Sequence, residues 1–151
     1  MPLSLFCLTD DMDATDARQW LFRAEAVHRQ LREALPPTFD AYQKTLARVF
    51  QNGGRLTLAV EDAKVMGLAL WRILENTYEG RRLYVDDLVV DAAHRSKGVG
   101  KSLVNWLEAR ARKLSCAVLA LDSGVQRDGA HRFYFREGFM IPSFCFRKKL
   151  P

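Results

Sequence analysis

The chain contains a basic loop with two glycines, DAAHRSKGVGK at residues 91–101. The loop follows an apolar segment, Leu83 to Val90, that is typical of a β-strand, and it precedes apolar residues at helical spacing from Val99 to Leu114. Ala117 to Leu121 is a second continuous apolar segment. The order strand, loop, helix, strand predicts a βαβ unit and therefore a pair of parallel strands.

The glycines and cations of this loop predict an anion site. Gly98 and Gly100 let the backbone turn its N–H groups toward one point, and the N-terminus of the helix adds a favourable dipole. The side chains of Arg95, Lys97 and Lys101 would stabilise a phosphate at that point. The alternative is a tight glycine turn with a solvated basic face.

A nucleotide-binding P-loop is a second alternative, because Gly100-Lys101-Ser102 matches the end of the motif G-x-x-x-x-G-K-S/T. The first glycine of that motif would have to stand where the chain has Arg95. A P-loop also follows its strand directly, whereas four residues intervene here. The sequence therefore favours another kind of phosphate site over an NTPase.

The remaining segments predict an antiparallel sheet that continues into the βαβ unit, with helices on both faces. In chain order they are a strand from Leu3 to Leu8, a helix after N-cap candidates at Thr9 to Asp13, a helix capped by Thr38, a hairpin of Leu56 to Val60 and Val65 to Ile73 around the turn Glu61 to Lys64, a loop from Glu75 to Arg82, a helix from Asp128 to Arg136 that ends at Gly138, and a last strand from Phe139 to Phe146. Pro142 would place the last strand at an edge or a bulge.

Composition indicates one soluble globular domain. The chain has 151 residues, 48% hydrophobic and 11% aromatic, with a net charge of +5. This size predicts a single domain, residues 1–151, and the charge favours an anionic partner such as nucleic acid, a phosphorylated cofactor or an acidic membrane. Cys7, Cys116 and Cys145 are odd in number and far apart, so neither a disulfide framework nor a metal site is expected. With no leader or membrane span in the sequence, we expect a cytoplasmic protein.

The spacing Arg95-x-x-Gly98-x-Gly100 resembles the pyrophosphate signature Q/R-x-x-G-x-G/A of GNAT acetyltransferases, and it lies between strand and helix as in that family. The resemblance extends from about Leu83 to the C-terminus. It implies that acetyl-CoA binds at the loop, through the residues Arg95, Ser96, Lys97, Gly98, Val99, Gly100 and Lys101. Ser96 stands where the family often has another glycine, a small departure that should leave the loop functional.

The same resemblance implies an acetyltransferase-type fold, with a mixed, mostly antiparallel sheet and one splayed parallel pair. In that family the pantetheine arm of acetyl-CoA enters the gap between the splayed strands. Leu88, Val89 and Val90 are the matching positions here. The first two helices of the family cover the acceptor side of the cleft.

A second segment, AHRFYFREGF at residues 130–139, resembles the family's A-x-x-F-Y-x-x-x-G-F motif. It is most similar to small-molecule amine acetyltransferases, including the aminoalkylphosphonate type. The resemblance implies that Tyr134 is the general acid, and a tyrosine with a pKa of about 10 is protonated at neutral pH and can donate to the departing thiolate. The alternative is a core aromatic beside Phe133 and Phe135. Arg127 stands where the family often has Asn, which weakens any predicted contact to CoA from that position.

The attacking amine must lose a proton, which requires a base. By resemblance to polyamine-type acetyltransferases, Asp86 is predicted as that base and Asp87 as the residue that holds a cationic substrate, although the sequence does not decide which of the two is the base. Successive strand residues face opposite sides unless a bulge intervenes, so one of them faces the cleft. The alternative is that an aspartate pairs with a nearby arginine (Arg81, Arg82 or Arg95). Two histidines, His94 and His131, are second candidates.

The resemblance thus predicts an acetyl-CoA-dependent N-acetyltransferase that acts on a small-molecule primary amine by direct attack in a ternary complex. An acyl-cysteine intermediate is disfavoured, because Cys116 and Cys145 lie within or beside predicted apolar strands. The acceptor stays open among an amino acid, aminophosphonate, polyamine, aminoglycoside, or a protein lysine or N-terminus, and acyl groups other than acetyl stay open too.

Three other functions remain as alternatives: a protein or peptide acetyltransferase, a catalytically silent CoA-binding sensor, and a nucleic-acid-binding domain. The last is supported only by the basic charge and the tail Arg147-Lys148-Lys149, without any recognised module. We therefore expect neither nucleic acid nor membrane as a partner. An exposed last strand would allow a homodimer by strand pairing.

Overall fold

A computed structural model describes residues 2–10 and 12–151 of the chain. They divide into two compact units, with bounds Met1–Ala120 and Leu121–Pro151. The elements are β1 (Ser4–Cys7), α1 (Ala14–Leu31), α2 (Phe39–Gln51), β2 (Arg55–Glu61), β3 (Lys64–Asn76), β4 (Gly80–Val90), a 3₁₀ turn (Ala92–His94), α3 (Val99–Lys113), β5 (Val118–Leu121) and α4 (Asp128–Arg136). The single domain expected from the chain length stays a prediction.

Within the described residues, five strands form one sheet in the order β1-β2-β3-β4-β5. The first four strands pair antiparallel with their neighbours. β5 lies beside β4 as the parallel pair of this sheet, and α3 is the crossover between them. The predicted mixed, mostly antiparallel sheet and the βαβ unit are therefore confirmed.

Helices cover both faces of the sheet, because successive strand residues point to opposite sides. Leu70 of β3 belongs to a buried apolar cluster that it shares with α1 and α2. Trp71, the next residue, contacts Trp106 of α3, with 6.0 Å between ring centroids. A Cβ on Gly67 would lie 3.1 Å from side-chain carbons of Leu103 and Val99 in α3, so glycine is what lets α3 pack closely on this part of the sheet.

The predicted caps begin the first two helices. The Asp13 carboxylate accepts hydrogen bonds from the backbone N–H groups of Thr15 and Asp16, and the Thr38 hydroxyl accepts one from Ala41. Asp11, another residue of the predicted Thr9 to Asp13 cap, lies outside the described residues. None of the described helices is long and apolar enough to cross a membrane.

The loop predicted from Glu75 to Arg82 is shorter than expected. β3 continues to Asn76 and β4 begins at Gly80. Glu75 pairs across the strands with Arg81. Opposite charges directly across an antiparallel pair stabilise it, so Glu75 and Arg81 belong to a strand ribbon.

The last strand predicted from Phe139 to Phe146 is wrong, because no strand is assigned to these residues. Phe144 and Phe146 are 83% and 93% exposed, so their alternation is not paired with burial. Pro142 removes a backbone donor in the middle of the segment. The homodimer prediction relied on a strand that is not present at these residues.

The β2–β3 hairpin turns through Asp62 and Ala63, both with left-handed backbone conformations, at φ 50° and 61°. Positive φ at both central residues is typical of a two-residue type I′ turn, for which Asn-Gly or Asp-Gly is preferred. Ala63 pays a steric cost in this conformation that glycine avoids.

We expect Ala63→Gly to stabilise the protein by about 0.5–1 kcal/mol, because the removed left-handed strain of about 1–2 kcal/mol exceeds the added flexibility of glycine. Urea unfolding measures the change. Ala26→Gly, at an exposed position inside α1, is the matched control and should destabilise by about 1 kcal/mol. Destabilisation by both substitutions would show that Ala63 is not strained.

Candidate active site

In the pairing of β3 with β4, Asp86 is an extra residue on β4. Leu70 pairs with Asp87 and Trp71 pairs with Val85, so Asp86 has no residue opposite it. Such a β-bulge changes the side to which the following side chains point. Val85 therefore lies on the α3 side with Trp71, whereas Asp87 lies on the α1 and α2 side with Leu70.

Asp87 is a buried carboxylate with two partners, one from α1 and one from the C-cap residue of that helix. Its Oδ2 lies 2.7 Å from Nε2 of His28, and its Oδ1 accepts a hydrogen bond of 2.7 Å from Nε of Arg32. Burial raises the pKa of Asp87, but the hydrogen bonds from His28 and Arg32, together with the charge of Arg32, outweigh burial and hold the pKa below its usual value. Asp87 is therefore an anion at neutral pH.

A buried tyrosine extends this network to α2. The hydroxyl of Tyr42 lies 3.0 Å from Nδ1 of His28, and both side chains are at most 2% exposed. Burial raises the pKa of Tyr42 far above its usual value, so the hydroxyl is protonated and can donate. We assign a neutral His28 that accepts from Tyr42 at Nδ1 and donates from Nε2 to Asp87, since this pattern gives every atom a partner.

Asp86 is bound less tightly and is more exposed, with 27% of its side chain accessible. Its Oδ2 accepts a hydrogen bond of 2.8 Å from Nε of Arg72, and its backbone carbonyl accepts one of 3.0 Å from Nη2 of Arg32. Arg72 is two residues beyond Leu70 on β3 and so faces the same side. The bulge thus brings both aspartates to the α1 and α2 side, where the sequence predicted only one.

The ion-pair partners of the aspartates were not those weighed from the sequence. Arg81, Arg82 and Arg95 were candidates because they are near in sequence, but the partners are Arg32 and Arg72. His28 was missed altogether. The available signal was a histidine on the apolar face of a predicted helix, followed four residues later by an arginine.

The predicted anion loop has the conformation that such a site requires. Ser96 and Gly98 have φ of +65° and +80°, and Gly98 is the N-cap of α3 without a side-chain hydrogen bond to the helix. The backbone N–H groups of the first turn therefore remain available for an anion. Arg95, Lys97 and Lys101 are exposed around them, and no acidic residue lies in the first turn.

The start of the loop is anchored to α1. Asp91 accepts a hydrogen bond of 2.9 Å from the side chain of Gln30, whose carbonyl accepts from the backbone N–H of Ala92. The Gln30 hydrogen bond holds the pKa of Asp91 below its usual value, and His94 contributes from 2.7 Å. His94 is therefore a hydrogen-bond partner of Asp91 at the loop entrance.

β4 has a free edge beyond the bulge. The backbone N–H of Ala117 donates to the carbonyl of Arg81. In a parallel pair a residue donates to the carbonyl of the residue before its partner, so counting along the two strands from this bond puts Ala120 beside Val85. β5 ends one residue after Ala120. Within the first unit, the β4 edge at the predicted pantetheine positions Leu88, Val89 and Val90 therefore has no strand partner beyond β3.

The second unit carries Tyr134 on α4. The ring of Tyr134 is 8% exposed and contacts the rings of Phe133 and Phe139. Burial raises its pKa, which keeps the hydroxyl protonated at neutral pH. His131 donates from Nε2 to the carbonyl of Gly124, so its ring is engaged inside the unit.

The cysteines differ from one another in exposure. Burial raises the pKa of the Cys116 thiol, which disfavours the reactive thiolate. Cys145 is exposed, and it lies in the C-terminal segment without a strand, so the prediction that it belongs to an apolar strand is wrong.

Residues 16–139 match the family model described as the acetyltransferase (GNAT) family. The chain belongs to the GNAT acetyltransferase family. This acetyltransferase is 46% identical over 138 residues to an uncharacterised N-acetyltransferase, YhdJ, of Bacillus subtilis, covering 89% of the chain and 94% of the relative. It is 30% identical over 94 residues to an aminoalkylphosphonate N-acetyltransferase of Salmonella typhimurium, covering 62% of the chain and 61% of the relative.

The acetyltransferase also resembles solved structures over its whole length. A ribosomal-protein-alanine N-acetyltransferase from Brucella melitensis superposes with a TM-score of 0.80 at 20% identity, covering 99% of this chain and 100% of the other. This likeness shows the fold. Together with the family match and the named relatives, it confirms the predicted GNAT fold and N-acetyltransferase class.

Because Asp87 has a lowered pKa in the folded protein, its pairing stabilises the fold above the unfolded carboxyl pKa of about 3.9, and this contribution is lost as pH falls through the folded pKa. We expect Asp87→Asn to destabilise the acetyltransferase by about 2–4 kcal/mol at pH 7. Urea unfolding from pH 7 to pH 3 should show the difference from the wild type shrinking below about pH 4. A difference independent of pH would contradict an ionised, paired Asp87.

Proposed function

We propose that this GNAT acetyltransferase transfers an acetyl group from acetyl-CoA to the primary amine of a small molecule. The observation that carries the proposal is the arrangement of β4. This strand has Asp86 at its bulge and ends at the anion loop. From Asp86 to Asp91 the strand rises about 17 Å, along the edge that β5 leaves free. An extended pantetheine arm bound at Leu88 to Val90 joins the phosphates at the loop to a thioester near Asp86.

In the proposed reaction the ammonium group of the acceptor first loses a proton to Asp86, directly or through a water molecule. Asp86 is partly exposed and can pass this proton to solvent. The free amine attacks the thioester carbonyl carbon, the new C–N bond forms, and the C–S bond breaks. Tyr134 donates its phenolic proton to the departing thiolate. No acyl-cysteine is needed, in keeping with the raised pKa of Cys116.

A small-molecule acceptor is favoured over a protein by the sequence relatives. The aminoalkylphosphonate N-acetyltransferase is 30% identical over its aligned part. The ribosomal-protein-alanine N-acetyltransferase is 20% identical, which carries the fold alone. A protein or peptide acceptor is the second candidate. The cytoplasmic location stays a prediction.

We expect Gly98→Glu to weaken acetyl-CoA binding about 30-fold or more, because a side chain at φ +80° strains the loop and its charge repels the phosphates. Isothermal titration calorimetry with acetyl-CoA, beside ATP and a short DNA duplex, measures the effect. Gly53→Glu is the matched control, since Gly53 has φ +88° and open space around it but lies at the end of α2. Equal weakening in both variants, or binding of ATP or DNA in place of acetyl-CoA, would refute the loop assignment.

We expect Tyr134→Phe to lower kcat about 100-fold while the Kd for acetyl-CoA changes less than twofold, because only the donated proton is lost. Thiol release with a dithiol reagent measures kcat, and calorimetry measures Kd. Tyr78→Phe, at an exposed tyrosine of the β3–β4 turn, should leave kcat unchanged. Wild-type kcat in Tyr134→Phe would assign the ring to the core of α4 alone.

A further inference from the structure

We propose that the acceptor of this acetyltransferase is a zwitterion, whose amine lies at Asp86 and whose anionic group binds the guanidinium of Arg32. The inference rests on the proposed function in one respect, that Asp86 marks the place of the acceptor amine. The chemical class is a molecule that carries a primary amine and a carboxylate or phosphonate a few bonds apart. Arg32 is then a specificity-determining residue, and Asp87 is a positioning residue that acts through Arg32.

The guanidinium of Arg32 is held along one edge and open along the other. Its Nε donates to Asp87 at 2.7 Å, and its Nη2 donates to the Asp86 carbonyl at 3.0 Å. Its Nη1 has no hydrogen-bond partner among the described residues. The side chain is 51% exposed, so the open N–H groups can receive a ligand. A guanidinium fixed in this way loses little freedom when it binds an anion.

Asp87 is occupied and cannot serve the substrate in the way the sequence suggested. Its side chain is 9% exposed, and its two oxygens already contact His28 and Arg32. His28 in turn is fixed by the hydroxyl of the buried Tyr42. This chain of contacts orients Asp87, and Asp87 orients Arg32. We therefore give Asp87 a positioning role in place of direct contact with a cationic substrate.

The charges around the acceptor place favour a zwitterion over a polycation. Two guanidinium groups, those of Arg32 and Arg72, accompany the two carboxylates of Asp86 and Asp87, and His28 is assigned as neutral. The group is neutral overall, and an added zwitterion leaves it neutral. A polyamine or an aminoglycoside would add further positive charges beside the guanidinium groups of Arg32 and Arg72. The carboxylates of Asp87 and Asp86 are already paired with these two arginines, so they would not neutralise the added charges. A carboxylate or phosphonate, by contrast, matches the planar donors of arginine.

The test compares acceptors that share an amine but differ in charge. They are β-alanine, 2-aminoethylphosphonate, the neutral β-alaninamide, spermidine and a short peptide with a free N-terminus. The wild type, Arg32→Gln and Arg32→Lys are assayed by thiol release at saturating acetyl-CoA, and KM and kcat are determined separately. Arg23→Gln, at an exposed arginine earlier on the same helix, is the matched control.

We expect Arg32→Gln to raise KM about 10- to 100-fold for β-alanine or 2-aminoethylphosphonate, with kcat changed much less. The rise for β-alaninamide should be under about threefold, and Arg32→Lys should give intermediate values. Comparison of the two anionic acceptors distinguishes carboxylate from phosphonate. Asp87→Asn, assayed at a temperature where circular dichroism shows it folded, should raise KM for the anionic acceptors selectively, which a merely structural role would not do.

Preference for spermidine, β-alaninamide or the peptide, unaffected by Arg32→Gln, would overturn the inference and leave acetyl transfer standing. Calorimetric titration of the same acceptors into the protein saturated with CoA separates binding from transfer. Binding of anionic acceptors that depends on Arg32, without turnover, would support the acceptor site and refute the proposed function. Absence of both binding and turnover with the two anionic acceptors would refute the inference.

Discussion

A buried carboxylate needs hydrogen-bond donors or cations next to it, and in the first unit of the protein the carboxylate of Asp87 has this need. Desolvation disfavours its charge, and the hydrogen bonds from His28 and Arg32 restore it. Since His28 lies in α1, Arg32 is the C-cap of that helix, and His28 also contacts Tyr42 of α2, one carboxylate ties β4 to both helices of that face. The position and rotation of these helices are thereby linked to the strand that leads into the anion loop.

The bulge at Asp86 is what makes this arrangement compatible with a packed sheet. Without it, Asp87 would share the side of Val85 and Trp71, where α3 packs. With it, the buried side chains of β4 face two layers in turn: Val85 faces α3, whereas Asp87 and Val89 face α1 and α2. The half-exposed Asp86 and Arg32 then lie beside a fully buried network, which combines rigid support with access to solvent.

Local signals made much of the fold predictable. Asp13 and Thr38 at the helix starts, and the glycines of the loop at residues 91–101, act through neighbours within a few residues, so the sequence displays them. The partners of the aspartates were not predictable in this way, because Arg32 lies more than fifty residues before Asp87 in sequence. The family resemblance supplied Asp86 and Asp87 as candidates, but nothing local to them indicated Arg72 or His28.

The bulge could not be predicted from the sequence, because buried and less buried residues alternate regularly along β4. The buried residues of β4, Leu83, Val85, Asp87 and Val89, keep strict alternation through the bulge, because the strand changes the layer it faces. The C-terminal segment shows the opposite error. Phe144 and Phe146 alternate as strand residues do, but no neighbouring strand buries them, and alternation without a partner does not make a strand.

The extra residue in β4 also makes chain length a constraint at this point. Removal of a single residue there would turn every following side chain of the strand to the opposite face of the sheet. The Asp87 carboxylate would then lie in the apolar layer between the sheet and α3. The fold therefore tolerates a change of the side chain at position 86 better than a change in the number of residues between Val85 and Asp87.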